Sequence, residues 1–531
     1  MIAEALQECK KAIGNEHVRT GPEALARYHW GDIPAEVSIA AAVLPGSTEE
    51  MQKLVNIARE YNIALYPVST GNNWGYGAAR PVTNGNIILD LVRMDRIIEV
   101  NTELAYAVIE PGVTQAKLHR YLEENKIPLM IDPTGAGPSC SILGNTLERG
   151  YGITPYGDHF MCQCGMEVVL ASGKVLNTGF GHYENAKTTY LFKWGTGPYL
   201  DGIFTQSNFG IVTKIGVWLM PKPEHVEACY FAINDDQMLG GLIDGVRTLL
   251  LQGIVRGPLN LLHRNRALTL LMHYPWEEMK GMTPLSEEVA SRLAKKNRVG
   301  VWNGVGALYG TRKQVQSAKS AVKEVLAGKV SELHFVSAAT ISLLERFQRP
   351  IGMVLGVDMS KTVGAVKASF GILNGIPNEV ALSTPYWRAR RSKPEHTINP
   401  ARDNCGVIWL SPVIPMTHRH VAEFRELVEP IFHKYRFDCC LTLTPVNPRC
   451  FDCTAPILYD RNDPDDRSRA DACYHELLGI CMENGYIPYR FGIQSMAELT
   501  GRNDVFWGTV DALKKALDPQ GILAPGRYSR A

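Results

Sequence analysis

The segment PVSTGNNWGYGAARP, residues 67–81, contains three glycines and two asparagines, with Trp74 and Tyr76 between them. It follows IALYPVS (63–69), whose apolar and β-branched composition is typical of a strand. Backbone N–H groups in a turn of this kind can converge on an anion such as a phosphate. The segment lacks both GxGxxG ahead of a helix and the P-loop pattern ending in GK and a hydroxyl residue. Two interpretations stay open from these residues alone: a plain connection, or a loop that holds a phosphate.

The surrounding sequence alternates between strand and helix patterns. SIAAAVLP (38–45) predicts a strand, and STEEMQKLVNIAREY (47–61) predicts a helix that opens with a capping box of Ser47 and Glu50. Further β segments follow at 86–91, at 96–114 with a turn at 101–103, in a hairpin of 166–173 with 174–179, and at 210–221. Their order indicates an α+β domain and not a doubly wound sheet. A second α+β unit begins near residue 226. The stretch 376–404, rich in Pro, Arg and Asn, predicts a long ordered loop.

Length and charge narrow the class of protein. A chain of 531 residues is expected to form two or three domains. Its net charge of +1 gives no reason to expect a nucleic acid or an anionic membrane as partner. The first residues, MIAEALQECKKAIG, predict a charged amphipathic helix and not a signal peptide, so a cytoplasmic location is expected and a periplasmic one stays open.

The twelve cysteines do not have the density of a disulfide scaffold. CFDC (450–453) has the CxxC spacing, but no second CxxC follows at zinc-finger distance. We expect buried thiols and no metal site, with a redox or metal role for Cys450 and Cys453 as the open alternative.

Two further segments contain several glycines, as the 67–81 segment does: GAGPSCSILGNTLERGYGITPYGDHF (135–160) and DGIFTQSNFGIVTK (201–214). With EPGVT (110–114), ILYDR (457–461) and ILAPGR (522–527), in this order, the sequence resembles the 4-alkylphenol-oxidising branch of the vanillyl-alcohol oxidase and 4-cresol dehydrogenase family. The resemblance extends over nearly the whole chain. It implies an α+β flavoprotein of two domains: a PCMH-type FAD-binding domain at 1–225, completed by 491–531, and an α+β cap domain at 226–490.

The resemblance implies FAD as cofactor and assigns its contacts. Ser69, Thr70, Gly71, Asn72 and Asn73 would hold the pyrophosphate through backbone N–H groups. The residues implied beside the flavin are Ser141, Gly144, Asn145, Gly152, Asp158, Ile211, Val212 and Arg527. The family's flavin-attaching His is replaced by Val407, and no Tyr lies between 388 and 434, so non-covalent FAD is expected, with Cys405 as the alternative attachment point.

The resemblance also implies the substrate. Tyr76, Tyr489 and Arg490 match the family residues that hold a phenolic oxygen as phenolate. A para-substituted phenol would then lose hydride from its benzylic carbon and form a quinone methide, which takes up water or loses a proton. The implied partners are this phenolic small molecule, a c-type cytochrome as electron acceptor, and a second copy of the chain in a homodimer.

Two departures from the family pattern keep alternatives open. Ala136 stands where the oxidases carry an Asp near flavin N5, with Asp132 a few residues earlier, and Asp452–Cys453 replace a His pair. The open alternatives are an oxidase that passes electrons to O₂, an FAD-dependent alcohol or hydroxy-acid dehydrogenase of the same fold, and a flavoprotein subunit without its own activity.

Overall fold

The computed structural model of the protein describes residues 1–355, 360–390, 398–502 and 504–530. The first half holds two sheets and the helices that cover them. Its strands are β1 (Val18–Arg19), β2 (Ile39–Val43), β3 (Leu65–Val68), β4 (Asn86–Asp90), β5 (Ile97–Asn101), β6 (Tyr106–Ile109), β7 (Leu129–Met130), β8 (Gln163–Leu170), β9 (Val175–Asn177), β10 (Gly210–Trp218) and β11 (Met220–Pro221). Its helices are α1 (Ile2–Ile13), α2 (Pro22–His29), α3 (Thr48–Tyr61), α4 (Gln115–Glu124) and α5 (Ile142–Leu147).

The two sheets differ in the direction of their strands. In the order β1-β2-β4-β3, strands β2, β4 and β3 run parallel, and helix α3 provides the crossover between β2 and β3. The order β5-β6-β10-β8-β9 is antiparallel throughout. Helix α3 begins at the predicted residue, where Ser47 Oγ accepts the Glu50 N–H at 3.2 Å. The Glu50 carboxylate accepts instead from Gly46 N at 2.7 Å, so the predicted reciprocal capping box is only half formed.

From His225 onward the chain builds one large antiparallel sheet in the order β15-β12-β14-β13-β18-β19-β16, with β17 also paired to β19. Its strands are β12 (His225–Ile233), β13 (Asn260–His263), β14 (Trp302–Gly310), β15 (Glu332–Ser337), β16 (Cys405–Leu410), β17 (Val413–Pro415), β18 (Thr442–Asn447) and β19 (Cys450–Asp460). The helices of this cap are α6 (Leu239–Leu251), α7 (Arg264–Leu271), α8 (Glu287–Asn297), α9 (Arg312–Leu326), α10 (Ala338–Leu355), α11 (Ser360–Leu373), α12 (His418–Lys434) and α13 (Pro464–Glu483).

After the cap, the chain returns to the first half. Helices α14 (Met496–Thr500) and α15 (Val505–Leu517) lead to a tail that pairs with β3, where Leu65 N donates to Ile522 O and Ala524 N donates to Leu65 O, both at 2.8 Å. The α+β class expected from the sequence is therefore confirmed. The loop predicted at 376–404 lies partly outside the described residues, and its described part contains a 3-10 helix at Val380–Tyr386.

None of the helices in the described ranges is both long and apolar enough to span a lipid bilayer.

Candidate active site

A cavity of about 520 Å³ lies where the two sheets of the first half meet the cap sheet. One wall is the 67–81 segment, which connects β3 to β4, together with the residues around α5 and the start of β10. The opposite wall comes from β13, α7, β16 and the 3-10 helix of the cap. The cavity brings together Ser69, Thr70, Gly71, Asn72, Asn73, Tyr76, Ser141, Gly144, Asn145, Gly152, Ile211, Val212, Tyr489, Arg490 and Arg527.

Asp158 is the predicted site residue that does not line this cavity. It forms an isolated β-bridge with Tyr151, and its Oδ1 accepts the Met161 N–H at 3.0 Å. Its carboxylate therefore stabilises a turn behind the cavity wall.

The wall made by Thr70 to Asn73 offers hydrogen-bond donors. None of these four backbone N–H groups donates to a described residue. Their conformation is fixed by neighbouring contacts: Ser141 N donates to Thr70 Oγ1 at 3.2 Å, and Asn72 Nδ2 donates to Ser139 Oγ at 2.8 Å. Backbone donors left unpaired at a cavity wall fit an anionic ligand, since such groups otherwise find partners. The pyrophosphate of FAD has this chemistry.

The middle of the loop is anchored from two sides. The Asp32 carboxylate accepts the Gly75 N–H at 2.6 Å, and Trp409 N donates to Gly75 O at 3.3 Å. Gly75 has φ +75°, and a Cβ at this position would lie 2.1 Å from the Trp409 ring. Only glycine combines this backbone conformation with so close a neighbour. The position of Tyr76 therefore depends on Asp32 from the N-terminal region and on Trp409 from the cap.

Arg80 and Trp74, two residues of the loop that the sequence alone leaves without a role, make contacts that hold the loop in place. Arg80 donates to Ile33 O at 3.0 Å and to Ala35 O, which holds the segment that carries Asp32. Trp74 packs in a buried cluster with Leu382 of the cap. Both residues thus support the loop.

Tyr76, Tyr489 and Arg490 converge at one end of the cavity. The Arg490 guanidinium lies 4.4 Å from the centre of the Tyr76 ring, and Tyr76 Oη is 2.8 Å from Ser411 Oγ. Ser411 also accepts the Tyr489 N–H through its carbonyl, at 3.1 Å. One buried cap residue therefore contacts both tyrosines.

The charges at this end do not cancel. Glu148 contacts Arg490 at 3.3 Å and Arg527 at 2.6 Å, so two guanidinium groups share one carboxylate. These two arginines hold the pKa of Glu148 below its ordinary value despite burial, and the carboxylate stays ionised. The cluster therefore carries one unbalanced positive charge beside two phenolic hydroxyls. Burial raises the pKa of Tyr76 to about 12, so its hydroxyl remains a donor at neutral pH.

Asp452 lies behind the tyrosines, on β19. Its side chain is buried, and its Oδ1 has no hydrogen-bond partner among the described residues. Burial raises the pKa of this carboxyl to about 8, although the charge of Arg490 opposes the shift. Asp452 is consequently neutral at pH 7 and does not cancel the positive charge.

Comparisons with known proteins show the family of the chain. Residues 39–179 match the model of an FAD binding domain, and residues 366–528 match the C-terminal domain of FAD linked oxidases. The chain is 32% identical to the 4-cresol dehydrogenase [hydroxylating] flavoprotein subunit of Pseudomonas putida, over 99% of this chain and 95% of that one. The chain belongs to the vanillyl-alcohol oxidase and 4-cresol dehydrogenase family.

Other members of this flavoprotein family are similar over the same length. The chain is 38% identical to 1'-carboxy-chondrochloren decarboxylase of Chondromyces crocatus, over 99% of this chain and 97% of that one. The 4-ethylphenol oxidase of Gulosibacter chungangensis, solved as an isoeugenol complex, superposes with a TM-score of 0.89 at 28% identity, covering 99% of this chain and 97% of that one. The predicted cofactor, FAD, and the two-domain flavoprotein fold are thereby confirmed.

Ala136, which replaces the family's Asp, and Asp132, a few residues earlier, have different surroundings. Ala136 lines the cavity, whereas Asp132 accepts the backbone N–H groups of Ile153 and Thr154 at 3.2 and 3.3 Å. Asp132 therefore holds a turn and does not occupy the position of the missing Asp.

Two positions considered for covalent attachment of the flavin, Val407 and Cys405, do not line the cavity. Val407 is buried inside β16, and Cys405 packs in the cluster that contains Trp74. Cys140 does line the cavity, but burial raises the pKa of its thiol to about 12, so it is not a thiolate at neutral pH. These observations agree with the prediction of non-covalent FAD, which stays a prediction.

The CxxC cysteines are placed on one strand. Cys450 and Cys453 both belong to β19, where Cys453 is buried and Cys450 partly buried, and they form no disulfide. Across the described ranges, no group of three or more His, Cys, Asp or Glu side chains is arranged to hold a metal ion.

Sequence reasoning missed several residues of the site. Glu148 lies within the GNTLERG motif without having been given a role, and Ser411 and Trp409 carry no recognisable motif. Arg266 also lines the cavity, and its one sequence signal is a charge directly before the mainly apolar stretch ALTLL (267–271).

Proposed function

We propose that this protein is an FAD-dependent oxidoreductase that removes hydride from the para benzylic carbon of a 4-substituted phenol, such as a 4-alkylphenol or a lignin-derived phenylpropanoid. The observation that carries the proposal is the convergence of Tyr76, Tyr489 and Arg490 beside an unbalanced positive charge. A phenolate neutralises this charge and accepts hydrogen bonds from both tyrosines. The similarity to a 4-cresol dehydrogenase and a 4-ethylphenol oxidase supports the same class of substrate.

The chain's residues favour the ionised form of the substrate. A free phenol ionises near pH 10, and a nearby guanidinium in a site of low dielectric lowers that pKa. Tyr76 keeps its own proton because burial raises its pKa to about 12. Ser411 can donate to the Tyr76 oxygen while Tyr76 donates to the phenolate, which fixes the direction of that hydrogen bond.

FAD, when bound, supplies the acceptor for the hydride. Loss of hydride from a phenolate leaves a neutral quinone methide. Addition of water to this product gives a 4-hydroxybenzyl alcohol, and loss of a proton from the next carbon gives a vinylphenolate. The oxygen of the quinone methide stays beside the residues that held the phenolate. Because the quinone methide is neutral, it no longer balances the positive charge of Arg490.

The final electron acceptor is proposed from the relatives. The name of the 4-cresol dehydrogenase calls it a flavoprotein subunit, which supports a separate electron-accepting partner such as a c-type cytochrome. The 4-ethylphenol oxidase supports O₂ as the alternative acceptor. The decarboxylase acts, by its name, on a carboxylated compound, so carboxylated phenols belong to the substrate range that we propose.

The test is anaerobic reduction of the bound flavin. The purified protein, with FAD confirmed by its absorbance spectrum, is mixed with 4-cresol, 4-ethylphenol, eugenol or vanillyl alcohol. We expect bleaching of the flavin by at least one of these phenols and none by 4-ethylanisole, whose methyl ether cannot ionise. Absence of bleaching by every phenol refutes the proposal. Readmitting air then identifies the acceptor, because rapid reoxidation with hydrogen peroxide indicates an oxidase.

A further inference from the structure

A second cation faces the cavity from the cap. Arg266 lies on α7, the helix that continues directly from β13, and it lines the cavity together with Leu270 one turn later. Its side chain is buried. Its guanidinium lies 6.0 Å from the ring of Trp409, the residue that packs on Gly75 beside the tyrosines. Arg266 therefore belongs to the cap wall of the cavity, whereas Thr70 to Asn73 belong to the opposite wall.

The hydrogen bonds of Arg266 leave much of its guanidinium unpaired. Nη1 donates to the hydroxyls of Thr269, at 3.0 Å, and Thr384. Among the described residues, the buried Nε has no hydrogen-bond partner, and the hydrogen bonds of the guanidinium all come from Nη1 and none from Nη2. Of the five N–H groups of a guanidinium, the structure thus satisfies only those of one nitrogen, and it does so with neutral acceptors.

No described carboxylate pairs with Arg266. The contrast with other buried arginines is clear: Arg388 contacts Asp466 at 3.1 Å, and Arg490 and Arg527 share Glu148. A buried charge without a counter-ion is costly, and proteins rarely keep one without a function. Burial lowers the pKa of Arg266 to about 10, yet the group is still a cation at neutral pH.

The surroundings match the far end of an elongated ligand. The cap strands contribute Asn260 and Thr442 to the cavity, and Asn260 Oδ1 and Thr442 Oγ1 are both buried without a hydrogen-bond partner in the part of the chain that the structure describes. Leu262 and Leu270 also line the cavity. Trp409 borders both Gly75, next to Tyr76, and the Arg266 guanidinium, and Arg266 and Arg490 face the same cavity.

We propose that Arg266 binds a carboxylate at the end of the substrate's para substituent, so that the preferred substrates are 4-hydroxyphenyl alkanoic acids. The inference rests on the proposed function, because it places the phenol at Tyr76, Tyr489 and Arg490. The planar fork of a guanidinium matches the two oxygens of a carboxylate, and one unpaired cation balances one negative charge. The substrate then carries an anion at each end, and each anion meets its own arginine.

The test compares an acid with its neutral isostere. The dissociation constants of 3-(4-hydroxyphenyl)propanoate and of its amide are measured on the FAD-loaded protein through the perturbation of the flavin spectrum. We expect the acid to bind at least ~10-fold more tightly than the amide, since a charge-assisted hydrogen bond in a buried site exceeds a neutral one. The homologous acetate and butanoate pairs give the length of substituent that best spans the cavity.

Variants of the arginine complete the test. Arg266→Met is expected to remove the preference for the acid, and Arg266→Lys to keep part of it. Arg264→Met serves as the matched control, because Arg264 lies on the same helix but pairs with Glu287 outside the cavity. It is expected to keep the full preference.

The outcomes separate this inference from the proposed function. Bleaching of the wild-type flavin by 4-ethylphenol, which has no carboxylate, tests the proposed function alone. Equal affinity of the wild type for acid and amide overturns the inference, and so does a preference that survives in Arg266→Met. If Arg266→Met does not fold, the inference is tested by comparing the affinities for acid and amide in the wild type and in Arg266→Lys.

Discussion

Replacing Arg490 by Met tests whether the unbalanced positive charge binds the substrate as phenolate. The Arg490 side chain is only 10% exposed and lies over the Tyr76 ring, and Met keeps most of its length and apolar contact. The change leaves Glu148 paired with Arg527 at 2.6 Å. The net charge of the cluster falls from +1 to zero, and the two tyrosines then face the phenol without a cation.

The size of the effect follows from burial. Arg490 and the bound phenolate would form a buried ion pair, and removing one partner of such a pair costs roughly 3–5 kcal/mol, because the phenolate is left without a compensating charge. At about 1.4 kcal/mol for each factor of ten, the rate of flavin reduction at neutral pH should fall by at least ~100-fold. The loss should be smaller at high pH, since the free phenol ionises by itself near pH 10.

The assay is anaerobic stopped-flow reduction by 4-ethylphenol from pH 6 to 10.5. In the wild type we expect a rate with little pH dependence above neutrality. In Arg490→Met we expect a rate that rises with pH toward the pKa of the free phenol. Arg425→Met is the matched control, because Arg425 pairs with Asp236 and Glu429 on the cap outside the cavity. A loss of less than about tenfold, or an unchanged pH profile, would refute the role of Arg490.

Three further predictions follow from the site. Gly75→Ala should lower thermal stability and the rate of flavin reduction, because its Cβ would overlap Trp409; Gly85→Ala, at a similar φ of +78° with open space around it, should show only the backbone strain. Asp452→Asn should gain stability relative to the wild type as pH rises from about 4 to 8, since the raised pKa of Asp452 makes the native state lose stability across that window; parallel melting curves without such a pH trend would contradict it. Acid precipitation should give a colourless pellet with FAD in the supernatant, and a yellow pellet would show covalent attachment.

The fold could be predicted to the extent that local patterns and motifs determine it. The helix at Thr48–Tyr61 and the hairpin of β8 and β9 follow from apolar spacing and turn residues, and the structure has them at the predicted places. Helix α10 (Ala338–Leu355) and strand β18 (Thr442–Asn447) were not predicted. Strand β18 lies between β13 and β19, and its pairing with β13, unlike that with the adjacent β19, joins segments far apart in the sequence.

Residues of the candidate site, too, could be predicted only where a motif carries them. The loop residues and the Tyr489–Arg490 pair could be named because motifs carry them, although their roles still await the experiments above. Ser411 and Trp409 could not, since each acts through a neighbour that is more than 300 residues away in the chain. Arg266 shows a second limit: its importance lies in the absence of a counter-ion among the described residues, and a sequence does not display which charges remain unpaired.

The anchoring of the 67–81 loop has a consequence for how the protein folds. Its central residues contact Asp32 from the N-terminal region, Trp409 from the cap and Ile493, whose N–H donates to Tyr76 O at 3.1 Å, from the returning tail. These contacts span almost the whole chain, and contacts of high sequence separation form slowly. The loop should therefore be among the last parts to become ordered, so that a refolding protein regains its helices and sheets before it can hold either of its ligands.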